Sequence, residues 1–284
     1  MILLTGATGT SGSEIAKELI RLGVRFRALV RSRESANSIA GPGVELVEGD
    51  FAKPESLDRA LAGVDKALLL AAPDPRSSEY QKNFVVAAKR SGLKHLVKFS
   101  AQGADVDSPA ELLRVHGAVE KMIEDAGIAF THLRPTAFMQ NFIGQKGTIH
   151  QGAIYAPIEN ARIAFVDVRD IAAVAAKTLT EPGHEGKKYE ITGPEALTHA
   201  EIASKLYVGL GIPVQYVNIS PQQFQQSLLQ AGLPASTVDG LNGLFQLWRQ
   251  GAAAGVTNVV RDVGRKAPIR FDQFVNDYKS AFQS

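Results

Sequence analysis

Residues 2–12 read ILLTGATGTSG, an apolar run that breaks into three glycines, Gly6, Gly9 and Gly12. An apolar run of this kind reads as a buried strand, and the residues after it as the start of a helix. Each glycine then has a separate task in a nucleotide-binding turn. The first permits the sharp exit from the strand, the second lets backbone approach a pyrophosphate, and the third lets helix and strand pack closely. Helix N–H groups beginning near Ser11 would face the phosphates. Thr8, Thr10, Ser11 and Ser13 add hydroxyls nearby. The same pattern in another context would be an ordinary glycine-rich turn; the strand before it and the helix after it favour a dinucleotide.

Outward from this turn, apolar runs alternate with amphipathic ones. Strands are expected at 2–5, 25–30, 44–48, 66–71, 95–100 and 129–133, with helices at 12–22, 33–40, 54–62, 77–91 and 108–126. Such alternation predicts an α/β fold, a doubly wound parallel Rossmann sheet covered on both faces. Beyond residue 146 the rhythm changes. A strand is expected near 162–165, a helix at 168–180, a strand at 187–191, helices at 198–210, 221–231 and 235–252, and a last helix from about Phe271. The division is read as a cofactor-binding domain, 1–145, and a smaller α/β substrate lobe, 146–284, part of which returns to the sheet.

Composition narrows the class. A net charge of +2 without a dense basic run gives no reason to expect a nucleic-acid partner. The chain has no cysteine, which removes disulfides, thiolate nucleophiles and cysteine-held metals together. The longest apolar run, 67–73, is far short of a membrane span, and a strand directly after Met1 leaves no space for a signal peptide. The expectation is a cytoplasmic protein with no membrane partner; homo-oligomerisation stays open.

The end of strand two discriminates between cofactors. An NAD site usually places a carboxylate there for the ribose 2′-hydroxyl, whereas residues 28–33 read ALVRSR. Arg31 and Arg33 suit a 2′-phosphate by charge and by their planar donor fork, unless both are simply solvated. NADPH (NADP) is the expected cofactor. Asp50 and Phe51 end strand three on the adenine side, although Asp50 equally suits a cap before Pro54. Ala71 and Ala72 end strand four, small enough for close passage of a cofactor.

The TGATGTSG turn (residues 5–12), Arg31 and the GDF turn at 49–51 resemble the atypical short-chain dehydrogenase/reductase superfamily. Residues 116–120 (HGAVE), 133–142 (LRPTAFMQNF) and 270–274 (RFDQF) narrow the likeness to the NmrA-like family. It covers nearly the whole chain and is most similar to the bacterial quinone and azo-dye reductase branch. The resemblance implies an NADP(H)-binding Rossmann domain with a small substrate lobe. It also implies that Pro135, Thr136, Phe138, Asn141 and Phe142 flank the nicotinamide and the substrate, and that Ser100, at the end of strand five, occupies a position often held by a catalytic hydroxyl.

One departure redirects the chemistry. None of the six tyrosines is followed four residues later by lysine, so the usual Tyr-x-x-x-Lys pair is missing. Where it would fall stand His116 and Glu120, four apart and so on one helix face, with Lys121 out of phase. A histidine oriented by a carboxylate can deliver a proton near neutral pH, so both are candidates, though such a pair is also ordinary on a helix surface. Phe165, Phe245 and Trp248 are candidates for a flat apolar pocket, with core packing as the alternative. His95, His132, His150, His184 and His199 show no metal-ligand spacing, and no metal is expected. The expected function is NADPH-dependent hydride transfer to a quinone or azo dye. The alternative is an NADP(H)-sensing regulator without turnover, and an epimerase or dehydratase is a weaker third.

Overall fold

A computed structural model describes residues 1–72 and 74–283; Pro73, which ends the apolar run at 67–73, and Ser284 lie outside the described residues. Its strands are β1 (Ile2–Leu4), β2 (Phe26–Val30), β3 (Val44–Glu48), β4 (Lys66–Leu69), β5 (His95–Phe99), β6 (Ala129–Pro135), β7 (Ala153–Ala156), β8 (Lys187–Ile191) and β9 (Gln215–Asn218). Seven of them form one parallel sheet in the order β3-β2-β1-β4-β5-β6-β8. The order reverses between β1 and β4, and ligands of such sheets gather outside the strands' carboxyl ends at that point.

Both faces are covered, which is why Leu3, Leu4, Ala28 and Leu68 are all fully buried on strands with no polar alternation. One face carries α1 (Thr10–Arg21) and the helix from Val168 to Thr180. Ile15, Ala16 and Leu19 supply the apolar stripe of α1. The other face carries α2 (Pro54–Leu61), α3 (Ser77–Arg90) and α4 (Glu111–Asp125). Pro54 opens α2, where its missing N–H costs nothing.

The smaller lobe has its own core. A 3-10 run (Met139–Gln145), α5 (Lys146–His150), the two-stranded parallel pair β7–β9, α7 (His199–Leu210), α11 (Phe271–Asp277) and α12 (Lys279–Gln283) enclose Phe142, Ile154, Ile202, Leu206, Phe271 and Phe274. On the α1 face of the sheet, α10 (Val259–Asp262) packs against α6 (Val168–Thr180) and β8, while α8 (Pro221–Gln230) and α9 (Ala235–Arg249) form a hairpin. Thus β8 and α6, from the second half, belong to the sheet unit. The hairpin leans on α4, and Gly240 and Gly243 of α9 lie against Leu112 and Ala110.

Several expected elements differ. The helix at 33–40 is only a 3-10 turn, Glu34–Ala36. The Ser32 hydroxyl accepts from the Glu34 N–H, and the chain turns off toward Gly43, at φ +85°. No strand forms at 162–165, because the partners change residue by residue. Ile163 bonds to Leu197, Ala164 to Ala253 and Gly193, and Val166 to Ala137, so no ladder develops. Helix α4 starts three residues later than 108, and the carbonyls of Ser108 and Pro109 accept instead from Arg114. The short pair β7–β9 was not anticipated.

Candidate functional site

The glycine turn sits at the sheet's reversal point, and its three glycines answer to different constraints. Thr5 locks β1 to β4, its hydroxyl donating to the Leu70 carbonyl at 2.9 Å and accepting from the Leu70 N–H at 2.9 Å. Gly6 is left-handed (φ +64°), and a Cβ there would come within 2.7 Å of the Leu70 oxygen. A Cβ on Gly12 would overlap the Gly6 carbonyl at 2.0 Å. Gly9 is different. It is exposed and extended (φ −83°, ψ 174°), and a Cβ there would meet only the Gly6 oxygen, at an ordinary 3.5 Å. The chain's own packing therefore does not demand a glycine at position 9.

Gly9 is also the N-cap of α1, with no side-chain cap and no acidic residue in the first turn. The first N–H groups of a helix need partners, and here they and the helix dipole favour an anion. Thr8 and Thr10 are exposed beside them, Ser11 is buried, and the Ser13 hydroxyl donates back to Thr10.

At the end of β2, Arg31 and Arg33 are exposed, and neither guanidinium has an ion-pair partner among the described residues. Asp50 does not cap α2, whose N-cap is Lys53 with no side-chain cap bond; it shapes the turn before the helix instead. Its carboxylate accepts from the Ala52 N–H at 2.9 Å, and its own N–H donates to Ser56, fixing the turn into α2. Phe51 is half-buried, edge-on to Phe84 at 5.7 Å. Ala71 is half-buried and Ala72 exposed, beside the Leu70 backbone that Gly6 approaches. These residues fit a phosphorylated dinucleotide: an uncapped helix start with room at Gly9, and unpaired cations where a 2′-phosphate would lie.

The other half of the site corrects the pairing of His116 with Glu120. Both lie on α4, but no hydrogen bond or ion pair joins them. Glu120 is 2% exposed. It accepts from the Ser100 hydroxyl at 2.5 Å and from Arg134 through Nε at 3.0 Å and Nη2 at 2.5 Å. Arg134 also reaches the Ala104 carbonyl at 3.0 Å and Glu190 at 3.4 Å. A carboxylate held by a bidentate arginine and a buried hydroxyl has its oxygens engaged in fixing its neighbours. Glu120 and Ser100 therefore form a clamp between α4, β5 and β6.

His116 faces Lys98 instead. The Lys98 side chain lies under α4, its Nζ 3.3 Å from His116 Nδ1 and donating also to the Phe99 carbonyl. Burial pushes the lysine down to about 7, against the opposing pull of Glu120. Burial and then the Lys98 charge hold the imidazole well below its ordinary value, so His116 is neutral. Because α4 runs back from the carboxyl edge of the sheet, His116 stands one turn nearer that edge than Glu120, which already contacts Ser100 at the end of β5. Lys98 was not among the expected site residues, although a lysine inside HLVKF (residues 95–99) breaks an otherwise apolar central strand.

After β6, Pro135 is buried and Thr136 donates to the Ala164 carbonyl at 2.7 Å. Phe138 is half-buried, edge-on to Phe99 at 6.3 Å, and Asn141 is exposed. Phe142 and Phe165 are not an open pocket wall: they pack 5.2 Å apart in the core of the smaller lobe, with Phe271 and His199 around them. On the hairpin, Phe224, Phe245 and Trp248 form a half-buried row of tilted rings, 5.1 and 5.2 Å between centroids, with Phe245 and Trp248 packed against the core of the smaller lobe. Glu120, Glu124 and His132 do converge within 4.8 Å. Arg134 and Lys188 (2.9 Å from Glu124) already balance their charge, and burial keeps His132 down at about 4.

A model of the NmrA-like family matches residues 1–275. The NAD(P)H azoreductase of Xenophilus azovorans is 37% identical over 283 residues, 99% of each chain. The structure superposes on an NADPH-dependent quinone oxidoreductase from Escherichia coli, complexed with NADPH, with a TM-score of 0.90 at 29% identity over 98% of this chain and 99% of that one. It also superposes on the triphenylmethane reductase of Citrobacter sp., complexed with NADP(H), with a TM-score of 0.87 at 28% identity over 98% and 99%. Among the described residues no helix is long and apolar enough to cross a membrane.

Proposed function

The chain belongs to the NmrA-like family, and on that premise we propose that it is an NADPH-dependent reductase of conjugated small molecules, quinones or azo dyes. The observation that carries the cofactor choice is the open Gly9 turn together with the unpaired Arg31 and Arg33. The acceptor class rests on the named relatives, with the aromatic row of the hairpin as the surface that a planar acceptor would meet.

NADPH bound at this turn supplies the hydride. The N–H groups of the first α1 turn, with Thr8 and Thr10 beside them, hold the pyrophosphate, and Arg31 with Arg33 holds the 2′-phosphate. Phe51 and the Asp50 turn border the adenine, while Ala71 and Ala72 line the path of the dinucleotide. Pro135 and Phe138 back the nicotinamide. Phe224, Phe245 and Trp248 form the platform for a planar acceptor, with Asn141 at its rim, and exclude water from the reacting face. A quinone or azo group that gains a hydride also needs a proton. His116, neutral and one turn toward the opening, is the donor; Ser100 and Glu120 hold α4 in place behind it. A phenol of raised acidity is not required, which accounts for the missing Tyr-x-x-x-Lys pair. A cytoplasmic setting belongs to the same proposal.

Purified protein given NADPH should reduce a panel of quinones and azo dyes, and should use NADH less efficiently. Tight NADPH binding with no turnover on any acceptor would favour the sensing alternative.

A further inference from the structure

Lys98 is 1% exposed in the middle of the sheet, an uncommon place for a lysine without a task. An ammonium only donates hydrogen bonds, so at 3.3 Å the Nδ1 of His116 is the acceptor. A neutral imidazole carries one ring hydrogen, and with Nδ1 accepting, that hydrogen is on Nε2.

We propose that Lys98 is a positioning residue for reduction: it fixes His116 as the Nε2–H tautomer and passes a proton to Nδ1 as Nε2 releases one to the acceptor. This rests on the reading above that His116 is the proton donor. When the acceptor has taken a hydride with its electron pair, its oxygen or nitrogen is anionic. The Nε2–H bond breaks and an O–H or N–H bond forms on the acceptor. The Nζ–H bond breaks and an Nδ1–H bond forms, leaving Lys98 a neutral amine. Water at the opening then reprotonates Nε2 as Nδ1 returns its proton to Nζ, so the net change is one proton from solvent to product.

The surroundings suit this exchange. Glu120, on α4, supplies the negative charge that keeps a cation at Lys98, and is itself held by Arg134 of β6. His132 sits opposite Lys98 on β6, turned to Glu124 and neutral through burial. Lys188 and Glu190 of β8 are engaged with Glu124 and Arg134. With its pKa drawn down to about 7, Lys98 parts with a proton readily near neutrality.

Two acceptors separate this role from a merely structural one. A quinone needs a hydride and a proton, whereas a cationic triphenylmethane dye takes a hydride at its central carbon and is neutral without any proton. Lys98→Met should lower the ratio of quinone to dye kcat about tenfold or more, the scale of a general-acid contribution. Equal losses on both acceptors would overturn the proposal. Nitrogen NMR of histidine-labelled wild-type protein gives a reading that needs no folded Lys98 variant, with His116→Gln assigning the resonance. A proton on Nε2 and a bare Nδ1 are expected at a pH below 7, where Lys98 carries its charge; an Nδ1–H tautomer there would overturn the assignment. If the wild type reduces neither acceptor, the proposed function fails, while the NMR still decides what Lys98 does to His116.

Discussion

A Cβ on Gly12 would lie 2.0 Å from the carbonyl oxygen of Gly6, while one on Gly9 would touch the same oxygen at a harmless 3.5 Å. Packing therefore demands one glycine of this turn and leaves the other free. Gly9→Ala should keep the melting temperature of the wild type and lose NADPH affinity, because its methyl group occupies the space over the helix start. Gly12→Ala should destabilise the protein by roughly 1–3 kcal/mol, as overpacking does. Thermal melts beside NADPH titrations read both; a Gly9→Ala protein with normal affinity would remove position 9 from the phosphate site.

Arg31→Glu should raise KM for NADPH about tenfold to a hundredfold, the worth of a charge-assisted hydrogen bond, and leave NADH kinetics nearly unaltered. Steady-state rates with the two cofactors give the test, and a parallel loss for both would refute a 2′-phosphate contact.

Glu120→Ala should act on stability before it acts on chemistry. It strands a half-buried arginine and removes the charge opposite Lys98; breaking one partner of a fully buried ion pair typically costs about 3–5 kcal/mol, an upper bound for this pair. Urea unfolding should show a clear loss. A variant as stable as the wild type but slow in turnover would instead restore Glu120 to the catalytic list.

The depressed Lys98 predicts a pH dependence of stability. Its pKa falls from 10.5 unfolded to about 7 folded, so between these values the unfolded chain binds more protons. Its contribution is then most unfavourable below pH 7 and becomes less so as pH rises toward 10.5, with a slope approaching ~1.4 kcal/mol per pH unit. Lys98→Met should remove this slope. Urea denaturation of both proteins at several pH values from neutral to mildly alkaline checks it.

The sheet was legible because its signals are local. Strand β8 falls at 187–191 with the bounds read from the sequence, and Gly6 and Gly12 stand where a tight turn and a close crossing require them. The site was legible only as far as spacing reaches. Helical spacing puts His116 and Glu120 on one face of α4, yet says nothing of what that face meets. Glu120 meets Ser100, twenty residues earlier, and Arg134, fourteen later. Lys98 was passed over because a strand lysine reads as an edge charge until a helix is known to lie over it. Phe142 and Phe165 look like pocket aromatics in sequence, and only the assembled lobe turns them inward. The failed strand at 162–165 has the same origin: β-propensity predicts extended backbone but not whether successive residues find the same neighbour.

The hairpin of α8 and α9 meets the sheet unit chiefly at the start of α4, where Gly240 and Gly243 lie against Leu112 and Ala110, and α8 has no buried residue. The glycine turn and the proposed acceptor platform are thus linked mainly through that seam. Such a seam allows the platform to be rewritten, by substitution or by grafting 221–249 from a relative, without disturbing the dinucleotide turn. A catalyst organised in this way can broaden its diet quickly, since novelty in what it reduces carries little risk for how it is powered.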